Sequence, residues 1–312
     1  MLGRTASQLY WMSRYIERAE NTSRLLEISQ RMSLLPHVAK KGASEWQALL
    51  QIAGNTDDFL ERYGEITPAK VTAYLTLDRE NPSSIWSAIR IARDNANAQR
   101  VSMTSEMWES LNSTWLEVSD MTPAKLERGH RDFFDWVKER SHLFRGITFG
   151  TMLRDEAYNF LRLGTFVERA DNVARILDVK YHVLLPSTSE VGGAIDHFQW
   201  GALLRSVSGF RAYHRVYHDT ITPARVTELL TLNASMPRSL HACLDASASI
   251  LSAISGDRPT EATRLCGELH AALHFGKIDD VYRTGLHEFL ESFLRRNSSL
   301  SEEIQSSFHL AA

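Results

Sequence analysis

Five segments of this chain occur twice, in the same order, about half a chain apart. MLGRTA at 1–6 is matched by MLRDEA at 152–157, and IERAENTSRLL at 16–26 by VERADNVARIL at 167–177. EWQALL at 45–50 answers to QWGALL at 199–204, ITPAKVTAYLTL at 66–77 to ITPARVTELLTL at 221–232, and NPSSI at 81–85 to MPRSL at 236–240. The offset drifts only from 151 to 155 residues. Chance similarity keeps neither order nor offset, so the chain reads as two homologous halves, 1–150 and 151–300. Residues 301–312 are polar and Ser-rich and read as a flexible tail. A repeat this long is no solenoid unit. The junction FRGITFGTML at 144–153 is short and largely apolar, so the halves are expected to share a core.

Each half reads as five or six helices. Apolar residues recur with helical period, and there is neither an alternating strand run nor an Asn-Gly or Asp-Gly hairpin signal. Thr67-Pro68, Thr122-Pro123 and Thr222-Pro223 read as an N-cap followed by Pro at the first helical position, where its missing N–H costs nothing. Asn81-Pro82 and Met236-Pro237 open the next helices, and Gly42, Gly64, Gly192-Gly193 and Gly256 punctuate. The fold class is all-α, an internally duplicated helical bundle. The 312 residues permit a sizeable core. A net charge of −3, from 35 basic and 38 acidic residues, gives no electrostatic footprint for nucleic acid and no polybasic membrane patch. Cys243 and Cys266 supply neither a disulfide framework nor zinc-ligand spacing. MLGRTASQLYW lacks a secretory pattern and no apolar run is long enough to span a bilayer, so the cytoplasm is the expected compartment.

The helix carrying IERAENTSRLL has apolar residues on nearly every side. Leu9, Met12, Ile16, Ala19, Ser23 and Leu26 form its main face. A second stripe runs Tyr10, Arg14, Glu17, Asn21, Arg24, Ile28, and its counterpart runs Leu161, Thr165, Glu168, Asn172, Arg175, Val179. A helix apolar all round is usually buried, so these polar groups are expected to satisfy one another. Glu17 and Arg24 are expected opposite Arg175 and Glu168 about a pseudo-two-fold axis. Three readings stay open: a solvated face with pairs such as Glu20–Arg24, a buried network that fixes how the halves pack, and a polar cleft in which Glu17 and Glu168 act as an acid–base pair. In the third, Arg18 or Arg169 binds a carboxylate.

Other constellations are weaker. Arg93, Asn97 and Arg100 share a helix face whose counterpart, DASASIL at 245–251, lacks them; an anion or an acidic partner would suit it, as would solvent. Thr151 reads as the N-cap of a helix carrying Asp155 and Glu156 in its first turns, with Arg154 beside them. His214/His218 and His270/His274 have helical metal-ligand spacing, but no Glu completes an H-E-x-x-H motif, so no metal is expected. His142 beside the junction is a further acid–base candidate. Trp11, Trp46, Trp108 and Trp200 are candidate interface residues. There is no Gly-rich phosphate loop, Ser nucleophile elbow or Cys–His motif, so no cofactor is expected and ATP would be handled by a partner.

Together, MLGRTASQLYWMSRYIERAENTSRLL, NPSSIWSAIRIARDNANAQR, SEMWESLN, the run ERSHLFRGITFGTMLRDEAYNFLRLGTFVERADNVARILDVKYHVLL and TPARVTELLTLNASMPRSL resemble the alpha-E family, a bacterial all-helical family. The resemblance covers residues 1–300. It implies a genetic or covalent association with a circularly permuted ATP-grasp ligase, in ATP-dependent formation or modification of a peptide. It also implies an accessory role, or an enzymatic one not yet defined, for the helical chain. The family motif falls on Glu17, Arg18 and Asn21 and on Glu168, Arg169 and Asn172. Arg24 and Arg175 join them as candidate binding residues, with Arg93 and Arg154 as outlying ones. The fourth motif position is Glu20 in one copy and Asp171 in the other, so the two copies are not strictly equivalent. The leading expectation is a substrate-handling protein working with that ligase. An enzyme of amide chemistry and a structural scaffold are the alternatives.

Overall fold

The computed structural model describes residues 1, 3–33, 42–182 and 192–309. Among these are sixteen α-helices and no strand. The first eight are α1 (Gly3–Ser33), α2 (Gly42–Ala53), α3 (Thr56–Tyr63), α4 (Pro68–Thr76), α5 (Ile85–Ala98), α6 (Ser105–Ser119), α7 (Pro123–Arg128) and α8 (His130–Thr151). The next eight are α9 (Glu156–His182), α10 (Ala194–Ser206), α11 (Phe210–Tyr217), α12 (Pro223–Thr231), α13 (Leu240–Ser255), α14 (Glu261–His274), α15 (Ile278–Thr284) and α16 (Leu286–Ser307). Eight helices on each side of the junction replace the expected five or six. The additional ones include α3, α7, α11 and α15, of 8, 6, 8 and 7 residues, which are too short for helical period to register.

The long helices form two rings. In one, α1 packs on α5, α5 on α6, α6 on α8, and α8 back on α1. In the other, α9 packs on α13, α13 on α14, α14 on α16, and α16 back on α9. The rings meet along α1 and α9, the most extensive helix pair in the molecule, and α2 and α10 each touch both of these helices. This explains the all-round apolar character of α1: it has neighbours on every side, and Leu9, Tyr10, Met12, Leu26 and Ile28 are wholly buried. One apolar cluster runs from Ala6 to Ile304, and a second gathers around Leu9, Met12, Met107, Phe144 and Leu161.

Gly164 sets the distance between α1 and α9. A Cβ there would overlap the Tyr10 carbonyl oxygen and the Ser13 hydroxyl. Close backbone approach brings the next turn of each helix, carrying Glu17 and Glu168, within reach of the other's arginines.

Several local readings shift. Thr67 and Thr122 cap α4 and α7 by accepting from Lys70 N–H and Lys125 N–H, but the Thr222 side chain makes no cap bond. Ser84 and Ser239, not the Pro dipeptides before them, cap α5 and α13, accepting from the Ser87 and Ala242 amides at 3.1 and 2.9 Å. Thr151 is the last residue of α8 rather than an N-cap; Asp155 takes that part for α9, accepting from Tyr158 N–H at 3.1 Å. Residues 301–307 are not a tail: α16 continues through them, and Ser301 and Ile304 are buried against the core. Trp46 and Trp200 are buried core residues rather than surface contacts.

Candidate functional site: a crossed arginine–glutamate network and its cleft

Glu17 and Arg18 of α1 face Glu168 and Arg169 of α9, and the two dipeptides pair crosswise. Arg169 donates from Nε and Nη2 to the two Glu17 carboxylate oxygens at 2.8 and 2.9 Å. Arg18 donates from Nε and Nη2 to those of Glu168 at 2.7 and 3.1 Å. The fork geometry of guanidinium matches carboxylate, which is why arginine holds both places. Both glutamates are buried.

The expected partners, Arg24 and Arg175, do not cross between the helices. Arg24 holds Glu20 of its own helix at 2.8 Å and also donates to the Ser206 carbonyl. Arg175 holds Asp171 at 2.6 Å and donates to the Ile52 carbonyl at 2.8 Å. The Glu20–Arg24 pair is fully buried rather than a solvated face.

The surroundings of the two glutamates differ. Glu17 also accepts from Arg145 of α8 at 2.7 Å and from Arg238, just before α13, at 3.2 Å. Arg145 reaches Glu20 at 2.6 Å, Arg238 bonds Glu20 too, and His142 Nε2 lies 3.4 Å from it. Two carboxylates, Glu17 and Glu20, thus meet four guanidiniums, Arg24, Arg145, Arg169 and Arg238. Burial pushes the Glu17 carboxyl up, but Arg169, Arg145 and Arg238 outweigh it and hold the group below its ordinary value. Glu20 is held well below for the same reasons, with burial opposed chiefly by Arg238. Arg238 is lowered to about 10 by its own burial, against the pull of Glu20 and Glu17, and remains a cation at neutral pH.

Glu168 has a simpler shell: Arg18, and Arg14 donating from Nε at 2.8 Å, whose Nη1 continues to Ser301 Oγ at 2.5 Å. Burial raises its pKa, and Arg18 and Arg14 overcome that and hold it at about 2. Beside it opens a cleft of about 440 Å³. Arg14, Arg18 and Arg175 supply positive charge to its wall, and Glu168, Asp171 and Glu302 negative charge. Trp11 gives it an aromatic edge. Asn297 is among the lining residues; its carboxamide oxygen is buried with no hydrogen-bond partner, and its Nδ2 donates to the Val167 carbonyl at 3.3 Å.

Of the motif asparagines, Asn172 donates to the Glu168 carbonyl at 2.8 Å and lines the cleft. Asn21 is buried with neither amide atom bonded. Arg93 and Arg154 take no part in the network. Arg93 bonds Asn112 at 3.3 Å and lies over Trp108, and Arg154 is exposed over Phe149. Sequence reasoning missed Arg145 and Arg238 as ligands of Glu17, because each comes from another helix region with no local motif. Arg14 stood in the recognised stripe, yet its role shows only once α9 is placed against α1.

The protein is thus an all-α bundle whose two longest helices cross at a doubled, buried Glu-Arg pair. It belongs to the alpha-E family, described as a predicted alpha-helical domain with a conserved ER motif, which matches residues 1–309. It is similar to an uncharacterised protein of Mycobacterium bovis and to uncharacterised proteins of two strains of Mycobacterium tuberculosis. Each is 25% identical over 312 residues, an alignment covering 93% of this chain and 35% of the relative. The chain therefore spans about a third of the length of these relatives. No solved structure matches it. Among the described residues no helix is long and apolar enough to cross a membrane.

Proposed function

We propose that this chain is a substrate-handling partner of a circularly permuted ATP-grasp ligase in peptide synthesis or modification, and that the cleft beside Glu168 holds a zwitterionic segment of the peptide. The carrying observation is the balanced charge of that cleft: three guanidiniums and three carboxylates around one opening. A carboxylate ligand suits Arg18, whose Nε and Nη2 alone are spent on Glu168. An ammonium suits Asp171 and exposed Glu302. Glutamates held below their ordinary range favour binding over proton transfer at neutral pH. The relatives' greater length supports a helical unit that works alongside other domains.

Taking the two halves as copies, as their repeated segments suggest, supports the reading. In the repeat register, Arg238 corresponds to Ser83. With α16 set against α8, both of 22 residues, Arg145 corresponds to Ser301 and His142 to Ser298. Three basic side chains pack around Glu17 and Glu20 where three serines line the cleft beside Glu168. On this reading one site became a filled lock between the halves and the other stayed open for a ligand.

The test is calorimetric titration with a short peptide, its N-acetylated form and its C-terminal amide. The free peptide is expected to bind at least about tenfold more tightly than either blocked form, and Ser83→Arg to abolish binding while leaving the melting temperature within a few degrees. Equal affinity for all three peptides overturns the ligand assignment. Sedimentation of the chain with its cognate ATP-grasp ligase tests the partnership, and two independently sedimenting species overturn it.

A further inference from the structure

Away from this network, α13 and α14 bring three histidines together. His241 is the second residue of α13, and His270 and His274 lie one turn apart on α14. One ligand nitrogen from each falls within 4.8 Å of the others. The ring centroids are 5.2 to 5.5 Å apart. Asp245, one turn beyond His241, places a carboxylate oxygen 3.4 Å from His270 Nε2. Each helix therefore contributes two groups at i,i+4, all on the facing sides.

The geometry points to a site for a late first-row divalent cation, zinc foremost, held by His241, His270 and His274 with the Asp245 carboxylate beside it. Four features carry this. Imidazole nitrogens suit zinc and its neighbours, and a tetrahedral ion about 2.0–2.1 Å from each ligand sets those ligands about 3.4 Å apart. His241 Nε2 and His274 Nδ1 are 3.3 Å apart, already near that spacing. His241 Nδ1 lies 2.8 Å from the Leu232 carbonyl, which as acceptor fixes the proton on Nδ1 and turns the Nε2 lone pair towards the other rings. A backbone carbonyl on the far nitrogen is the usual orienting contact of a metal-bound histidine. Finally, His270 Nε2 is buried and makes no hydrogen bond, its near neighbour being the Asp245 carboxylate oxygen at 3.4 Å.

The site grades from buried His241 through half-buried His270 to exposed His274, so an ion enters from the surface. Three nitrogens leave a tetrahedral ion one further position, for Asp245 or for a water. The ion would also clamp the start of α13 to the end of α14.

The experiment uses tag-free full-length protein, purified with chelator and titrated with Co2+, followed by Zn2+ competition. One equivalent of Co2+ is expected to produce the intense visible bands of a tetrahedral site, and Zn2+ to bleach them. His274→Ala, an exposed position, and His270→Ala are expected to weaken binding at least about tenfold, and His214→Ala to leave it unchanged. Circular dichroism of each variant separates lost ligands from lost fold. A Co2+ spectrum that stays that of the hydrated ion, or folded His274→Ala protein that binds as tightly as the parent, overturns the assignment.

Discussion

The α-carbon of Gly164 lies so close to the Tyr10 carbonyl of α1 that no larger residue fits between them. This contact sets how far α9 stands from α1, and hence whether Arg169 reaches Glu17 and Arg18 reaches Glu168 with both arms of the fork. Gly164→Ala should therefore cost more than a helix-propensity argument allows. Propensity alone predicts a gain of about 1 kcal/mol for Gly to Ala in a helix. The overlap with a backbone carbonyl, which cannot rotate away, is expected to reverse the sign and give a net loss of about 1–3 kcal/mol. Urea unfolding measures it, and a variant more stable than the parent would falsify the close-packing account.

Glu168 makes the acid stability of the protein predictable. Its carboxyl sits at about 2 in the fold against an ordinary value of 4.5, because Arg18 and Arg14 outweigh burial. A depressed carboxylate stabilises the fold fully above the unfolded value. That stability is lost as pH falls from about 4.5 through about 2. The shift corresponds to about 3–4 kcal/mol at most, at about 1.4 kcal/mol per pH unit. Glu168→Gln is expected to lose this amount or more at pH 7, since Arg14 and Arg18 are left without their counter-charge. Its stability is also expected to change less than the parent's between pH 5 and pH 3. Parallel pH profiles for parent and variant would remove Glu168 as the source.

The sequence made the helices legible because the apolar pattern and the Thr-Pro starts are local signals. It offered burial of the polar stripe as one of three readings, because α1 carries apolar residues on nearly every side, and left a solvated face and an open cleft beside it. It misassigned the partners. Placing Glu17 opposite Arg175 assumed that residues on one stripe meet their counterparts directly. Instead the backbones approach at Gly164, and the adjacent residues Arg18 and Arg169 reach around the helix to the opposite carboxylate. Arg145, Arg238 and His241 were beyond periodicity for a common reason: each acts on groups far away in sequence, 128 residues in the case of Arg145 and Glu17. His270 and His274 showed their spacing, but the third imidazole comes from another helix.

The four guanidiniums around Glu17 and Glu20 should not be equally costly to remove. Arg169 forms a two-armed pair with Glu17, which helps keep its charge despite burial. Arg238 is lowered to about 10, with burial first and then Arg24 and Arg169 disfavouring its charge. Deleting Arg169 leaves Glu17 short of its best partner; deleting Arg238 also relieves like-charge repulsion. Arg169→Met is expected to cost about 3–5 kcal/mol, within the range for breaking a buried pair, and Arg238→Met less than half as much. Chemical denaturation of the two variants decides it, and an Arg238→Met loss equal to that of Arg169→Met contradicts the ordering.

His287 of α16 and Asp178 of α9 give the neutral range its own pH dependence. His287 Nδ1 lies 2.7 Å from an Asp178 carboxylate oxygen, and that bond first, with the negative charge of Asp178 behind it, raises the imidazole above its ordinary 6.5. A raised histidine stabilises the fold fully below the unfolded value. That contribution fades as pH climbs from about 6.5 through the folded value. The effect is modest, under about 1 kcal/mol, because the ring is partly solvated and salt screens it. The protein is therefore expected to be slightly more stable at pH 6 than at pH 8, with the sign opposite to that of Glu168 at low pH. His287→Asn should flatten the slope between these two pH values while leaving the acid limb in place. Thermal unfolding of parent and variant in matched low-salt buffers reads both limbs, and a slope that persists in His287→Asn assigns the neutral-range dependence to another group.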